Sequence, residues 1–138
     1  MKKHIASILF LFLLSTFQLI AQSHSVKRLG IEQGLSNNYV VSITQDKQGF
    51  LWFATEEGLN KFDGTRFTTY YKNDLTQDNQ GITGNELNRV YADTKHPIIW
   101  IATQRDGLNA YNYNEQTFTA YQHNPENPHS LITNDVTD

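Results

Sequence analysis

Apolar residues in this chain fall in short runs separated by polar turns, and the runs have the length of strands. Residues 39–44, YVVSIT, are rich in β-branched side chains and read as a strand. The turn Asp46-Lys47-Gln48-Gly49 follows, then FLWFAT at 50–55, apolar almost throughout. An apolar run that short predicts a strand buried on both faces. Glu56-Glu57-Gly58 turns the chain, residues 59–62 make a third strand, and Asp63-Gly64 is a hairpin signal before a fourth strand, RFTTYY, at 66–71. The unit is four short antiparallel strands joined by tight turns.

The same construction returns further on. Strands are predicted at 86–92, 98–103, 108–111 and 117–121. Trp52 corresponds to Trp100, Ala54-Thr55 to Ala102-Thr103, and Gly58-Leu59-Asn60 to Gly107-Leu108-Asn109. Polar linkers at 72–81 and 123–130 follow the two copies, and LITNDVTD at 131–138 opens a third, with Asn134 answering Asn85 and Asn38. The start points Leu35, Ile82 and Leu131 set a period of 47 to 49 residues. Four strands at that period predict an all-β fold of β-propeller blades. No stretch keeps apolar residues at helical spacing long enough for helical hairpins. The paired Trp, Ala-Thr and Gly-Leu-Asn argue against a sandwich whose halves look alike by chance.

The expected organisation is a leader at 1–21, an N-terminal segment at 22–34, blade repeats at 35–81 and 82–130, and the start of a third repeat at 131–138. Two blades cannot bury their faces or close a ring, so the expectation is an incomplete ring, part of a longer protein. Within the N-terminal segment, VKRLGI at 26–31 predicts a strand placed to supply the outer strand of the last blade.

The first residues have the order of a secretory signal peptide. Lys2 and Lys3 precede an apolar, charge-free run over 5–14, which weakens through Ser15, Thr16 and Gln18 and ends at Ala21 and Gln22. Cleavage is expected between Ala21 and Gln22. The competing reading is an uncleaved anchor, since the charge-free span is about long enough to cross a bilayer. No Cys follows the run, so this is no lipoprotein signal. The expected location is outside the cytoplasm. Losing Lys2 and Lys3 leaves 9 basic residues against 14 acidic ones, a charge of −5. The basic residues are scattered, which gives no stripe for nucleic acid. The absence of Cys removes disulfides, thiolate nucleophiles and thiolate metal sites.

GLSNNYV, D-x-x-G-F-L-W-F-A-T, G-L-N-K-F-D-G and F-x-x-Y, in that order, resemble the two-component regulator propeller repeat. The spacer HNPENPHSL before the third copy is also like those of that family. The second copy departs only at turns, with Asn112-Tyr113-Asn114 in place of Asp63-Gly64 and His96-Pro97 in place of Gly49. The resemblance implies the periplasmic sensor region of a Bacteroides-type hybrid two-component histidine kinase. In full-length relatives, tandem propellers lead to a β-sandwich, a membrane helix, a kinase, a receiver and a DNA-binding domain. It further implies an oligosaccharide ligand, a homodimer of the full-length sensor, and inner-membrane anchoring through later parts of the protein. None of the signalling motifs stands in this sequence, and no enzymatic activity is expected of it. Alternatives are a secreted propeller enzyme, a lyase or hydrolase, or a plain binding or scaffold propeller.

Candidate chemistry is sparse. Trp52 and Trp100 offer faces for sugar stacking, but a residue that recurs in every copy reads as packing between blades. Glu56, Glu57, Arg105 and Asp106 lie in corresponding turns and differ between copies, so they are the candidate ligand-facing residues. Solvated turns are the blander reading of all four. Asp46 and Asp93 recur before turns and read as backbone caps. Glu56 and Glu57 are adjacent, so they do not form the facing pair that glycoside hydrolysis needs. The five His residues lack ligand spacing, and DLTQDNQG at 74–81 lacks the alternation of a calcium loop. No cofactor and no metal are expected.

Overall fold

The computed structural model of the protein describes residues 26–73 and 81–137. The leader with its Ala21-Gln22 bond, most of the 74–81 loop, and Asp138 lie outside the described residues. Among the described residues no helix is long and apolar enough to cross a membrane.

Two four-stranded antiparallel sheets form, each in simple sequence order. The first contains β1 (Val40–Gln45), β2 (Leu51–Thr55), β3 (Gly58–Phe62) and β4 (Phe67–Tyr70). The second contains β5 (Leu87–Ala92), β6 (Ile98–Thr103), β7 (Leu108–Asn112) and β8 (Thr117–Tyr121). Each is one propeller blade, as the periodicity predicts. The two blades share even their irregularity: the β1–β2 register shifts between Val40 and Ser42, and the β5–β6 register between Leu87 and Arg89. A bulge there bends the first strand at the same height in both blades.

The apolar second strand is buried on both faces as expected, with Trp52, Phe53, Ala54 and Thr55 all buried. The first strands lie side by side. Ser42 Oγ donates to the Val90 carbonyl at 3.3 Å, and the Ala92 amide donates to Thr44 Oγ1 at 3.3 Å. Between the sheets sits the main core. Trp52, Ala54 and Leu59 of the first blade meet Ile82, Leu87, Val90, Ile99, Ile101, Tyr111 and Phe118 of the second. Trp52 lies 5.4 Å from Tyr111, and Tyr70 5.4 Å from both Tyr111 and Phe118, in tilted and edge-on geometries that aromatic rings favour.

Two expectations are corrected. The strand over 26–31 does not form: residues 26–29 have no ladder partner among the described residues, and Ile31–Gln33 is one turn of 3-10 helix ended by Gly34 at φ 101°. A strand is defined by its neighbour, and among the described residues none is present beside this segment. Trp100 is only half-buried, whereas Trp52 is fully buried. Among the described residues no complete blade covers the face on which Trp100 lies.

Candidate functional site

The recurring residues turn out to be fasteners, and they fix where variable residues can stand. Asp46 works as the predicted cap and does more. Its Oδ1 accepts the amides of Gln48 and Phe50 at 2.9 and 3.0 Å, while Oδ2 accepts the Trp52 indole Nε1–H at 2.8 Å. Asp93 repeats this with the amides of Lys95 and His96 and with Trp100 Nε1 at 3.3 Å. Hydrogen bonds from the His96 and Lys95 amides hold the Asp93 carboxyl well below the usual carboxylate range.

Thr55 and Thr103 close the turn between second and third strands. Thr55 Oγ1 donates to the Gly58 carbonyl and accepts the Glu57 amide. Thr103 Oγ1 donates to the Gly107 carbonyl at 2.7 Å and accepts the Asp106 amide at 2.9 Å. Asn60 and Asn109 are fully buried. Asn60 Oδ1 accepts the Ser36 amide at 2.9 Å and the Thr69 hydroxyl at 3.0 Å, and its Nδ2 donates to Ser36 Oγ at 2.7 Å. Asn109 holds Thr83 in the same way, at 3.1 Å to its amide and 2.8 Å to its hydroxyl. Sequence reasoning matched Gly-Leu-Asn between copies but gave the Asn no role. The available signal was a polar residue recurring inside an apolar strand, paired with a small hydroxyl residue at 36 and 83.

A second fastener joins successive units. The Gly58 amide donates to the Asn85 carbonyl at 2.9 Å, and Gly107 does the same to Asn134. The side chains of Asn85 and Asn134 accept the amides of Lys72 and His123, each at 2.6 Å.

The candidate ligand-facing residues stand on the turns held by these bonds. Glu56 and Glu57 occupy the turn between β2 and β3 and are exposed. Arg105 is exposed on the corresponding turn between β6 and β7, and with Asn88, Gln104, Asn134 and Asp135 it lines a polar cleft of about 500 Å³. Asp106 is different. It is half-buried, packs over Gly84, and pairs with Lys72 Nζ at 3.5 Å across the blade junction. The structure therefore makes Asp106 part of the seam and leaves Glu56, Glu57 and Arg105 on the open rim. Among the described residues no group of three or more His, Asp or Glu side chains is gathered to hold a metal ion.

The blade pair and its fasteners define a β-propeller built from sequence repeats. A family model for the two component regulator propeller matches residues 34–57. The extracellular domain of BT3049 from B. thetaiotaomicron, assigned to the hybrid two-component systems, is 76% identical, covers 81% of this chain and superposes with a TM-score of 0.77. The extracellular domain of BT4673 from the same organism is 28% identical over 71% of the chain, with a TM-score of 0.55. Histidine kinase P4 of Formosa agariphila is 42% identical over 66 residues, 48% of this chain. The chain spans 15% of the BT3049 domain, 14% of the BT4673 domain and 5% of the kinase. Over residues 34–57 the chain thus resembles the two-component regulator propeller repeat, and over most of its length it is similar to the extracellular domains of such sensors.

Proposed function

We propose that this chain is part of the periplasmic ligand-sensing region of a hybrid two-component sensor histidine kinase that responds to oligosaccharides and regulates polysaccharide use. The observation that supports it most is the 76% identity, over 81% of the chain, to the extracellular domain of a protein assigned to the hybrid two-component systems. The geometry is consistent with sensing. Recurring residues are consumed in packing and fastening, while the residues that differ between blades stand on one rim of a rigid scaffold, where binding surfaces are built. Rim carboxylates and the Arg105 guanidinium offer charged hydrogen-bond partners for sugar hydroxyls. The segment itself performs no catalysis in this reading. A ligand shifts the arrangement of two propeller chains in a homodimer anchored in the inner membrane, and the kinase reads the shift.

The test is to read the coding DNA past the codon for Asp138, then titrate the complete extracellular region calorimetrically with a panel of defined oligosaccharides. The expected result is a frame that runs through further Trp-x-Ala-Thr repeats into a membrane helix and kinase motifs, with saturable binding of at least one saccharide. A frame lacking the kinase removes the sensor assignment. A kinase-bearing protein that binds none of the saccharides removes the ligand class.

A further inference from the structure

A groove between the two blades carries a cation that the fold leaves without a counter-charge. It lies at the blade end where β2 starts and β3 stops, and both of its walls belong to complete blades. Phe50, Lys61 and Thr68 line it from the first blade, and Tyr111, Gln116 and Phe118 from the second, around about 280 Å³. The rim turn of Glu56 and Glu57 stands at the other end of the five-residue β2, about 17 Å away at about 3.4 Å per residue. The groove is therefore separate from the rim.

Lys61 is half-buried and stands opposite Trp52 in the β2–β3 register, on the face turned to the second blade. Its ammonium lies 3.8 Å from the centre of the Phe50 ring and 5.5 Å from that of Trp52, an electrostatic attraction that fixes its place. Among the described residues no carboxylate pairs with it. Asp63, on the same groove, is committed elsewhere. Its Oδ1 accepts the Thr65 and Arg66 amides at 2.7 and 2.8 Å, and its Oδ2 faces Arg66 Nε at 3.7 Å. Residues that recur between the copies serve packing and fastening. Phe50, Lys61 and Asp63 do not recur: the second blade has Ile98, Ala110 and Asn112 at these places. The remaining lining groups combine aromatic surface with neutral hydrogen-bonding groups. Tyr111 lies 5.4 Å from Tyr70 and 4.5 Å from Phe118. Burial, and then the hydrogen bond with Tyr111, raises the Tyr70 phenol above its usual pKa, so it stays neutral. Gln116 reaches the groove from the β7–β8 hairpin at φ 57°, a left-handed conformation that favours glycine. It is the one such non-glycine residue among the described residues, and backbone strain of this kind clusters at ligand sites.

We propose that this groove binds one uronate, a sugar ring bearing a carboxylate, with the carboxylate on Lys61 Nζ, the ring against the aromatic surface, and its hydroxyls on Thr68 and Gln116. One unpaired cation sets one negative charge. The aromatic surface asks for an apolar ring face, and the hydroxyl and carboxamide ask for hydroxyl groups. The volume falls just below the roughly 300–1,000 Å³ of pockets for larger ligands, which admits a single ring and excludes a chain. The site lies apart from the rim and rests on the sensor reading only for the choice of a saccharide over another ring that bears a carboxylate.

The test is a nitrogen-15 NMR titration of this chain with methyl glucuronide, methyl glucoside and benzoate. Methyl glucuronide shifts the Trp52 indole N–H and the Thr68 and Gln116 amides saturably. Methyl glucoside, which lacks the charge, and benzoate, which lacks the hydroxyls, bind at least about 10-fold more weakly. Lys61→Met keeps the stem over the Phe50 ring and removes the charge. It weakens glucuronide binding at least about 10-fold, with the Trp52 indole resonance of the free protein in place, whereas Lys61→Arg retains binding and Lys95→Met changes nothing. Equal binding of glucuronide and glucoside, or no loss in Lys61→Met, overturns the site. Benzoate that binds as tightly as glucuronide overturns the saccharide class. Glucuronide shifts centred on Glu56, Glu57 and Arg105, and indifferent to Lys61→Met, overturn the groove and leave the rim reading standing. Absence of binding by all three probes overturns the groove too, and the rim reading is then decided by the titration of the complete extracellular region.

Discussion

Trp52 and Trp100 occupy the same place in the repeat and differ in surroundings, so the same substitution at each isolates the contribution of the blade interface. Trp→Phe keeps an aromatic ring but deletes the indole N–H and the five-membered ring. At position 52 the lost bond is 2.8 Å long, wholly buried, and made to the carboxylate of buried Asp46. Leaving that oxygen without its partner costs about 1.5–3 kcal/mol. The cavity, bordered by the mutually packed rings of Tyr70 and Tyr111, adds about 1 kcal/mol. At position 100 the bond is 3.3 Å long and the ring is half-buried on an open face, so water replaces the donor and fills the space. The cost there is about 0.5–1 kcal/mol. The expected difference of about 2–3 kcal/mol corresponds to roughly 8–12 °C in Tm for a unit of this size. Guanidinium unfolding followed by far-ultraviolet circular dichroism measures both variants, and the remaining Trp in each reports the other site by fluorescence. Equal losses at the two positions would refute the assignment of Trp52 to a sealed interface and Trp100 to an open one.

Three further outcomes follow from the fasteners. Asn109→Ala strands the buried Thr83 amide and its hydroxyl, and should destabilise the chain by about 2–4 kcal/mol in the same unfolding assay, with Thr83→Val milder. Gly107 has φ 89° and lies against the Tyr121 carbonyl, whereas Gly64 has φ 94° with open space around it. Gly107→Ala should therefore cost at least 2 kcal/mol more than Gly64→Ala, which bears only the backbone strain of about 1 kcal/mol. Asp93 has a folded-state pKa below its unfolded value, so its contribution is complete above the ordinary carboxylate range and is lost as pH falls through the lower folded value. Denaturation midpoints measured from about pH 6 down to pH 2 should fall less steeply in Asp93→Asn than in the parent.

The blades were legible because their information is local and doubled. Strand runs, turn residues and the paired Trp, Ala-Thr and Gly-Leu-Asn each repeat, so one copy checks the other. The prediction for residues 26–31 misled for a physical reason. A strand-like patch describes a segment able to pair, but a strand needs a partner, and among the described residues none stands beside this one. Trp100 misled similarly: equal position in a repeat implies equal burial only when both neighbours are present. The rim was legible as a set of turns that differ between copies. What sequence hid was that Asp106 is drawn into the seam by Lys72 and Gly84, a contact set by the linker rather than by the turn. The roles of Asn60 and Asn109 were hidden too, since their partners sit 24 and 26 residues upstream.

The bonds from Gly58 to Asn85 and from Gly107 to Asn134 run one way, each unit being fastened by residues that open the next. This gives the array a direction in time. A chain in synthesis emerges from its amino end, and the first sheet can assemble its ladders once Tyr70 is out, yet its second turn stays unlatched until Asn85 follows. Every unit thus waits on its successor before becoming proteolytically hard. A break in one unit loosens the unit before it as well, and nicking should travel backward along the chain, toward the end that was made first.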